Sequence, residues 1–135
     1  MISTNRITPD QIVQLPPGHV FVFGSNTAGR HGKGAAKTAL TWGAVWGQGS
    51  GLMGRTYGIP TKPHNLTQRL SIDQIRPYIA EFIQCARNNP DLTFLVTEIG
   101  CGLAGYRPKD IAPLFAEARD VHNIHLPLRF WRHIY

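Results

Sequence analysis

The sequence is short of cysteine, of long apolar runs and, through much of its length, of acid, and each shortage excludes a class of protein. Two cysteines, Cys85 and Cys101, in 135 residues are too few for a disulfide scaffold or a four-cysteine zinc site. No apolar run approaches the ~20 residues of a bilayer-spanning helix. Met1 to Asp10 has Arg6 but no apolar stretch behind it, which reads against a secretory leader. There is no internal repeat and no low-complexity tail. With 42% apolar and 16% charged residues, the composition is that of a folded chain, not a disordered one. What remains is a soluble, cytoplasmic protein, with residues 1–135 forming a single domain around one core.

The acid shortage is local. No Asp or Glu occurs between Gln11 and Ile72, a stretch that holds the six cations Arg30, Lys33, Lys37, Arg55, Lys62 and Arg69. The remaining eight cations are matched by the eight acids, so the net charge of +6 sits in this one segment. Ten of the 14 glycines fall inside it, between Gly24 and Gly58. Exposed backbone amides beside uncompensated positive charge describe a site for anions, phosphate above all.

Local patterns predict an alternating order of elements. Thr8-Pro9-Asp10-Gln11 reads as the start of a short helix, with Thr as cap and Pro in the first turn. His19 to Phe23 reads as a strand, apolar without alternation and so buried on both faces. A small-residue helix is predicted from Gly34 to Trp42, and a short strand from Thr56 to Ile59, stopped by Pro60. Ile75, Ile79, Phe82, Ile83 and Ala86 share one face of a helix capped by Ser71 or Asp73. Leu92 to Ile99 reads as a strand, the next helix as capped by Asp110, and Asn123 to Phe130 as a last strand interrupted by Pro127. Strand and helix alternation means an α/β domain with a mostly parallel central sheet flanked by helices.

Several motifs invite a function and fail on chemistry. Gly49 to Gly54 and Gly100 to Gly105 both fit G-x-G-x-x-G, the second after a strand. The dinucleotide fold needs an acid about 20 residues later for the ribose hydroxyls, and no acid follows Asp120. Gly32-Lys33 is followed by Gly34, so the Walker pattern, which needs Ser or Thr there, is absent. His31, His64, His122 and His125 lack zinc-like spacing, which predicts no metal site; nothing calls for a cofactor either. Cys85 reads as a core thiol. Cys101, between two glycines, reads as a packing residue before a nucleophile, because no base accompanies it.

Three segments carry a resemblance. Asn26-Thr27-Ala28-Gly29-Arg30-His31-Gly32-Lys33-Gly34-Ala35-Ala36 resembles the first ligand loop of macro domains. Ile59-Pro60-Thr61-Lys62-Pro63-His64 resembles the Thr-Lys stretch of the macro-domain DNA ADP-ribosyl glycohydrolases. Ile99-Gly100-Cys101-Gly102-Leu103 resembles the matching loop of the terminal ADP-ribose protein glycohydrolase. The three occur in the family's order, and the chain is also similar to the compact macro-like proteins of phages and prophages.

The resemblance implies a three-layer macro-like fold with ADP-ribose at the carboxyl ends of the strands. It implies that Asn26 meets the distal ribose, that Gly32, Lys33 and Gly34 line the ribose and phosphates, and that Gly100, Cys101, Gly102, Leu103 and Ala104 wrap the diphosphate. It assigns catalysis to Lys62, whose neutral amine attacks C1 of an opened ribose and forms a Schiff base. The chain departs from the pattern in three places. Ala104 stands where the protein glycohydrolase has an aspartate, and Ala35-Ala36 where other macro hydrolases have one. The Gly-Asp-Ile motif for adenine is missing, and Asp10 is the one acid ahead of the first core strand. Two other functions fit the same residues: a non-catalytic module that sequesters an ADP-ribose-derived signal nucleotide, and a basic nucleic-acid-binding protein using Trp42, Trp46 and Arg55.

Overall fold

The computed structural model describes residues 4–65 and 68–135. Strand β1 (His19–Asn26) is followed by α1 (Gly34–Ala39), the hairpin strands β2 (Gly51–Met53) and β3 (Thr56–Lys62), α2 (Ile72–Asn88) and β4 (Thr93–Val96). Then come α3 (Pro108–Ile111), a 3-10 run Ala112–Asp120, β5 (Ile124–His125) and α4 (Leu128–Trp131). The sheet order is β2-β3-β1-β4-β5, parallel throughout except for the β2–β3 hairpin. The domain is α/β, with helices on both faces of a mostly parallel sheet.

The unbroken apolar run of β1 explains its central place. Val20 and Val22 face one core, with Tyr57, Ile59, Phe94 and Val96 of the neighbouring strands and the apolar stripe of α2. Phe21 and Phe23 face the other, with Leu15, Ala36, Ala39 and Met53. The α2 stripe is Ile75, Ile79, Phe82, Ile83 and Ala86, all buried, at about 1.5–3 kcal/mol for each large side chain. Phe82 meets Tyr57, Phe94 and Phe115 edge-on at 5.1, 5.5 and 6.1 Å between ring centres. Ser71 caps α2 through a reciprocal pair with Gln74, which satisfies amide donors that the helix leaves open.

Several expected elements differ. No helix begins at Thr8: a 3-10 turn covers Thr4–Arg6, and the chain then runs extended, with Ile7 bridging Leu126 and the Thr8 amide donating to the Leu126 carbonyl at 2.9 Å. Pro60 does not stop β3, because β2 ends opposite Gly58 and beyond it β3 has one neighbour only, where proline is tolerated. The strand expected over Leu92 to Ile99 is four residues long, Thr93–Val96. Arg107 caps α3 and Asp110 sits in its first turn, accepting from the Arg107 amide at 3.0 Å. Pro113 lacks the amide an α-helix would need there, and the chain tightens into 3-10 geometry. Asn123 to Phe130 is mostly not a strand: two residues pair with β4, and Pro127 caps α4.

Candidate functional site

The chain leaves β1 through α1 to β3 on one side, and returns through α2 to β4 on the other. This reversal is where open α/β sheets hold ligands, outside the carboxyl ends of the strands. A cleft of about 590 Å³ lies there, between the loop after β1 and the loop after β4. The ends of β1, β3 and β4 supply Asn26, Lys62 and Thr97 to its lining. The loop after β4 runs against the end of β1: a Cβ on Gly24 would be in contact with the Gly100 amide nitrogen at 3.4 Å.

The cleft collects nearly all the residues singled out in the sequence. Asn26, Gly32, Lys33, Gly34, Lys62, Gly100, Gly102, Leu103 and Ala104 line it. Cys101 does not: its half-buried side chain packs against the larger core, and its thiol is pushed up to about 12, chiefly by burial and then by Glu98 and Asp110. A thiol held protonated is no nucleophile. The Asn26 amide clips its own loop, donating to the Arg30 carbonyl at 2.8 Å and accepting from the Arg30 amide at 2.9 Å. The amides of Gly102, Leu103 and Ala104 make no backbone hydrogen bond among the described residues, which leaves three adjacent donors in one loop.

The glycines divide into two kinds. A Cβ on Gly29 would overlap the backbone at Gln48, one on Gly49 the Asn26 carbonyl, and one on Gly58 would lie 2.5 Å from the Gly49 carbonyl oxygen. These glycines lay the segment before β2 directly over the end of β1. Gly32 and Gly102 have no such constraint: neither has a positive φ, Gly32 meets only the Trp46 ring at 3.8 Å, and Gly102 meets nothing within 4 Å. What a side chain at either would occupy is the cleft.

Sequence reasoning missed two features. Glu98 follows the end of β4 and lines the same cleft as Arg30, Lys33 and Lys62. Its Oε2 is buried 2.7 Å from Arg129 Nε, and Arg129 also reaches Asp10 at 3.8 Å. Residues 11–72 are acid-free, but the segment after β4 supplies an acid to the cleft from across the sheet. The other feature is a cavity of about 610 Å³ that shares Ala35, Thr97 and Glu98 with the cleft and is lined by Asp10, Phe21 and Trp42. Asp10 is its only signal in the sequence.

The residues that suggested nucleic acid are dispersed. Trp42 packs on Phe21 at 5.1 Å between ring centres. Arg55 donates to the Leu15 and Pro16 carbonyls at 2.6 Å each. Trp46 alone of the set lines the cleft. Among the described residues no group of three His, Cys, Asp or Glu is placed to hold a metal, and no helix is long and apolar enough to cross a membrane. Compared with known proteins, the chain matches no family, no curated protein and no solved structure.

Proposed function

We propose that this chain is a macro-like domain that binds ADP-ribose, or a closely related nucleotide, in the cleft and releases it from modified DNA or protein through Lys62. The observation that carries the reading is the pair Gly32 and Gly102, which no backbone strain or crowding requires and whose missing side chains keep the cleft open. In this reading the diphosphate lies on the amides of Gly102, Leu103 and Ala104, with Arg30 and Lys33 supplying positive charge. The adenosine occupies the adjoining cavity beside Asp10, and the distal ribose lies toward Asn26 and Lys62.

Catalysis would run through the lysine. On ring opening the bonding pair between C1 and the ring oxygen goes to that oxygen, which takes a proton, and C1 is left doubly bonded to the modified group. The Lys62 Nζ lone pair then adds to C1, and the bond from C1 to the modified group breaks with its electron pair as the Schiff base forms. The Glu98 carboxylate takes the proton that the nitrogen gives up and passes it to the departing atom. Water then hydrolyses the Schiff base, freeing ADP-ribose and the lysine.

Calorimetry with ADP-ribose, AMP, NAD and unmodified single-stranded DNA tests the binding. ADP-ribose is expected to bind with a Kd on the order of 1 μM, about −8 kcal/mol, and AMP more weakly. DNA binding that is strong and indifferent to saturating ADP-ribose would replace this reading with a nucleic-acid-binding one. ADP-ribose binding without release from any ADP-ribosylated DNA or protein would leave the non-catalytic module.

A further inference from the structure

Trp46 is 61% exposed, a costly position for the largest apolar side chain unless something covers it. It is nevertheless held in place. His31, fully buried, presents Nε2 to the Val45 carbonyl at 2.8 Å and to the Gln48 carbonyl at 2.9 Å. Both partners are acceptors, so Nε2 carries the hydrogen. The two carbonyls bracket Trp46 in the chain, so the histidine fixes the turn that presents the indole. The His31 ring meets Phe23 edge-on at 5.4 Å on the core side and Trp46 edge-on at 6.2 Å. Gly29 and Gly49 press the same turn onto β1 through backbone approaches that no side chain permits.

The position of this platform is specific. The cleft and the adjoining cavity meet at Ala35, Thr97 and Glu98, and Trp46 lines only the cleft, with Arg30 and Gly32. It therefore belongs to the cleft, where the ribose end of the ligand is placed, and not to the second cavity. Leu103, in the loop after β4, is 66% exposed and also lines the cleft. Two exposed apolar side chains thus border a cleft whose other charged groups are Arg30, Lys33, Lys62 and Glu98.

We infer that Trp46 is a stacking platform for a planar heterocycle bonded to the ribose end of the ligand, so that the cleft recognises the leaving group as well as the ADP-ribose. The inference rests on the reading given under Proposed function. A fixed indole face suits any flat ring, because stacking depends on the π-surface and not on a hydrogen-bond pattern. Nicotinamide on NAD and a nucleobase on ADP-ribosylated DNA share this chemistry.

The test compares wild type, Trp46→Ala and Trp46→Phe for binding of ADP-ribose, NAD and a short single-stranded oligonucleotide ADP-ribosylated on one base, using the Lys62→Ala background for the oligonucleotide. The exposed position should leave the thermal midpoint unchanged. Trp46→Ala is expected to weaken at least one base-bearing ligand about tenfold while ADP-ribose stays within about twofold, and Trp46→Phe to restore most of the loss. Loss for NAD alone identifies nicotinamide, and loss for the oligonucleotide alone a nucleobase. An equal change for all three ligands, or none, would overturn the inference with the ADP-ribose reading intact. Failure of wild type to bind ADP-ribose would overturn that reading itself.

Discussion

Asn26 and Lys62 face each other across β1 and β3 at the point where the parallel register slips by one residue, Ser25 pairing with Pro60 and Asn26 with Lys62. The slip leaves Thr61 as the extra residue, buried, with its hydroxyl donating to the Ser25 carbonyl at 3.3 Å. Irregularities of this kind re-aim the side chains at a strand end. Here the result is that Asn26, which shapes the first loop, and Lys62 open onto the same cleft.

The two kinds of glycine separate stability from binding. Gly49→Ala drives a Cβ into the Asn26 carbonyl and should cost more than about 2 kcal/mol in chemical denaturation. Gly102→Ala, in open space, should change stability by less than about 0.5 kcal/mol. Gly102→Glu should fold, by circular dichroism, and bind no ADP-ribose. Undiminished binding in that variant would discard the loop after β4 as the diphosphate site.

Lys62→Ala should abolish release of ADP-ribose from modified DNA while leaving ADP-ribose affinity within about tenfold, ~1.4 kcal/mol. Lys62→Arg should be equally inactive, because a guanidinium stays charged and is no nucleophile. Borohydride should trap a covalent adduct on wild type only. Full activity in Lys62→Ala would end the Schiff-base mechanism.

Glu98→Gln keeps the shape beside Arg129 and removes the proton acceptor. Turnover should fall about 10²-fold with Kd for ADP-ribose nearly unchanged, and the loss should persist at all pH values tested. A rise in Kd with unchanged turnover would assign Glu98 to ligand positioning instead.

Cys101 should resist alkylation. Its thiol is pushed up to about 12, so little thiolate exists at pH 8. Iodoacetamide should modify the native protein far more slowly than the unfolded chain, and Cys101→Ala should retain ADP-ribose binding. Rapid modification that blocks binding would return the thiol to the site.

His125 should make the fold acid-sensitive. Its imidazole is held below the ordinary 6.5 chiefly by burial, then by the charges of Arg6 and His19. As pH falls through 6.5 the unfolded chain takes up a proton that the folded chain refuses, so stability is present above that pH and declines below it. The thermal midpoint should drop between about pH 7 and pH 5, over the ordinary titration range of histidine. His125→Asn should flatten that slope. An identical slope in the variant would place the sensitivity on another group.

The elements legible in the sequence are those whose stability is local or periodic. The α2 stripe from Ile75 to Ala86 repeats at helical spacing, its Ser71 cap lies three residues from its partner, and the run Val20 to Phe23 has no polar residue to turn toward water. Periodicity and capping act within a few residues, so composition and order determine them. The positive, glycine-rich loop after β1 was legible for the same reason. Other features required the chain to fold back on itself. Strand β2 exists because Gly51 to Met53 pairs with Tyr57 and its neighbours, and Gly49 is glycine because the Asn26 carbonyl lies where its Cβ would be. Glu98 enters the site from the far side of β1, and His31 holds Trp46 through carbonyls 14 and 17 residues away. Sequence sets the residues available at each strand end; parallel pairing of β3, β1 and β4, which brings together segments tens of residues apart, decides which of them share a cleft.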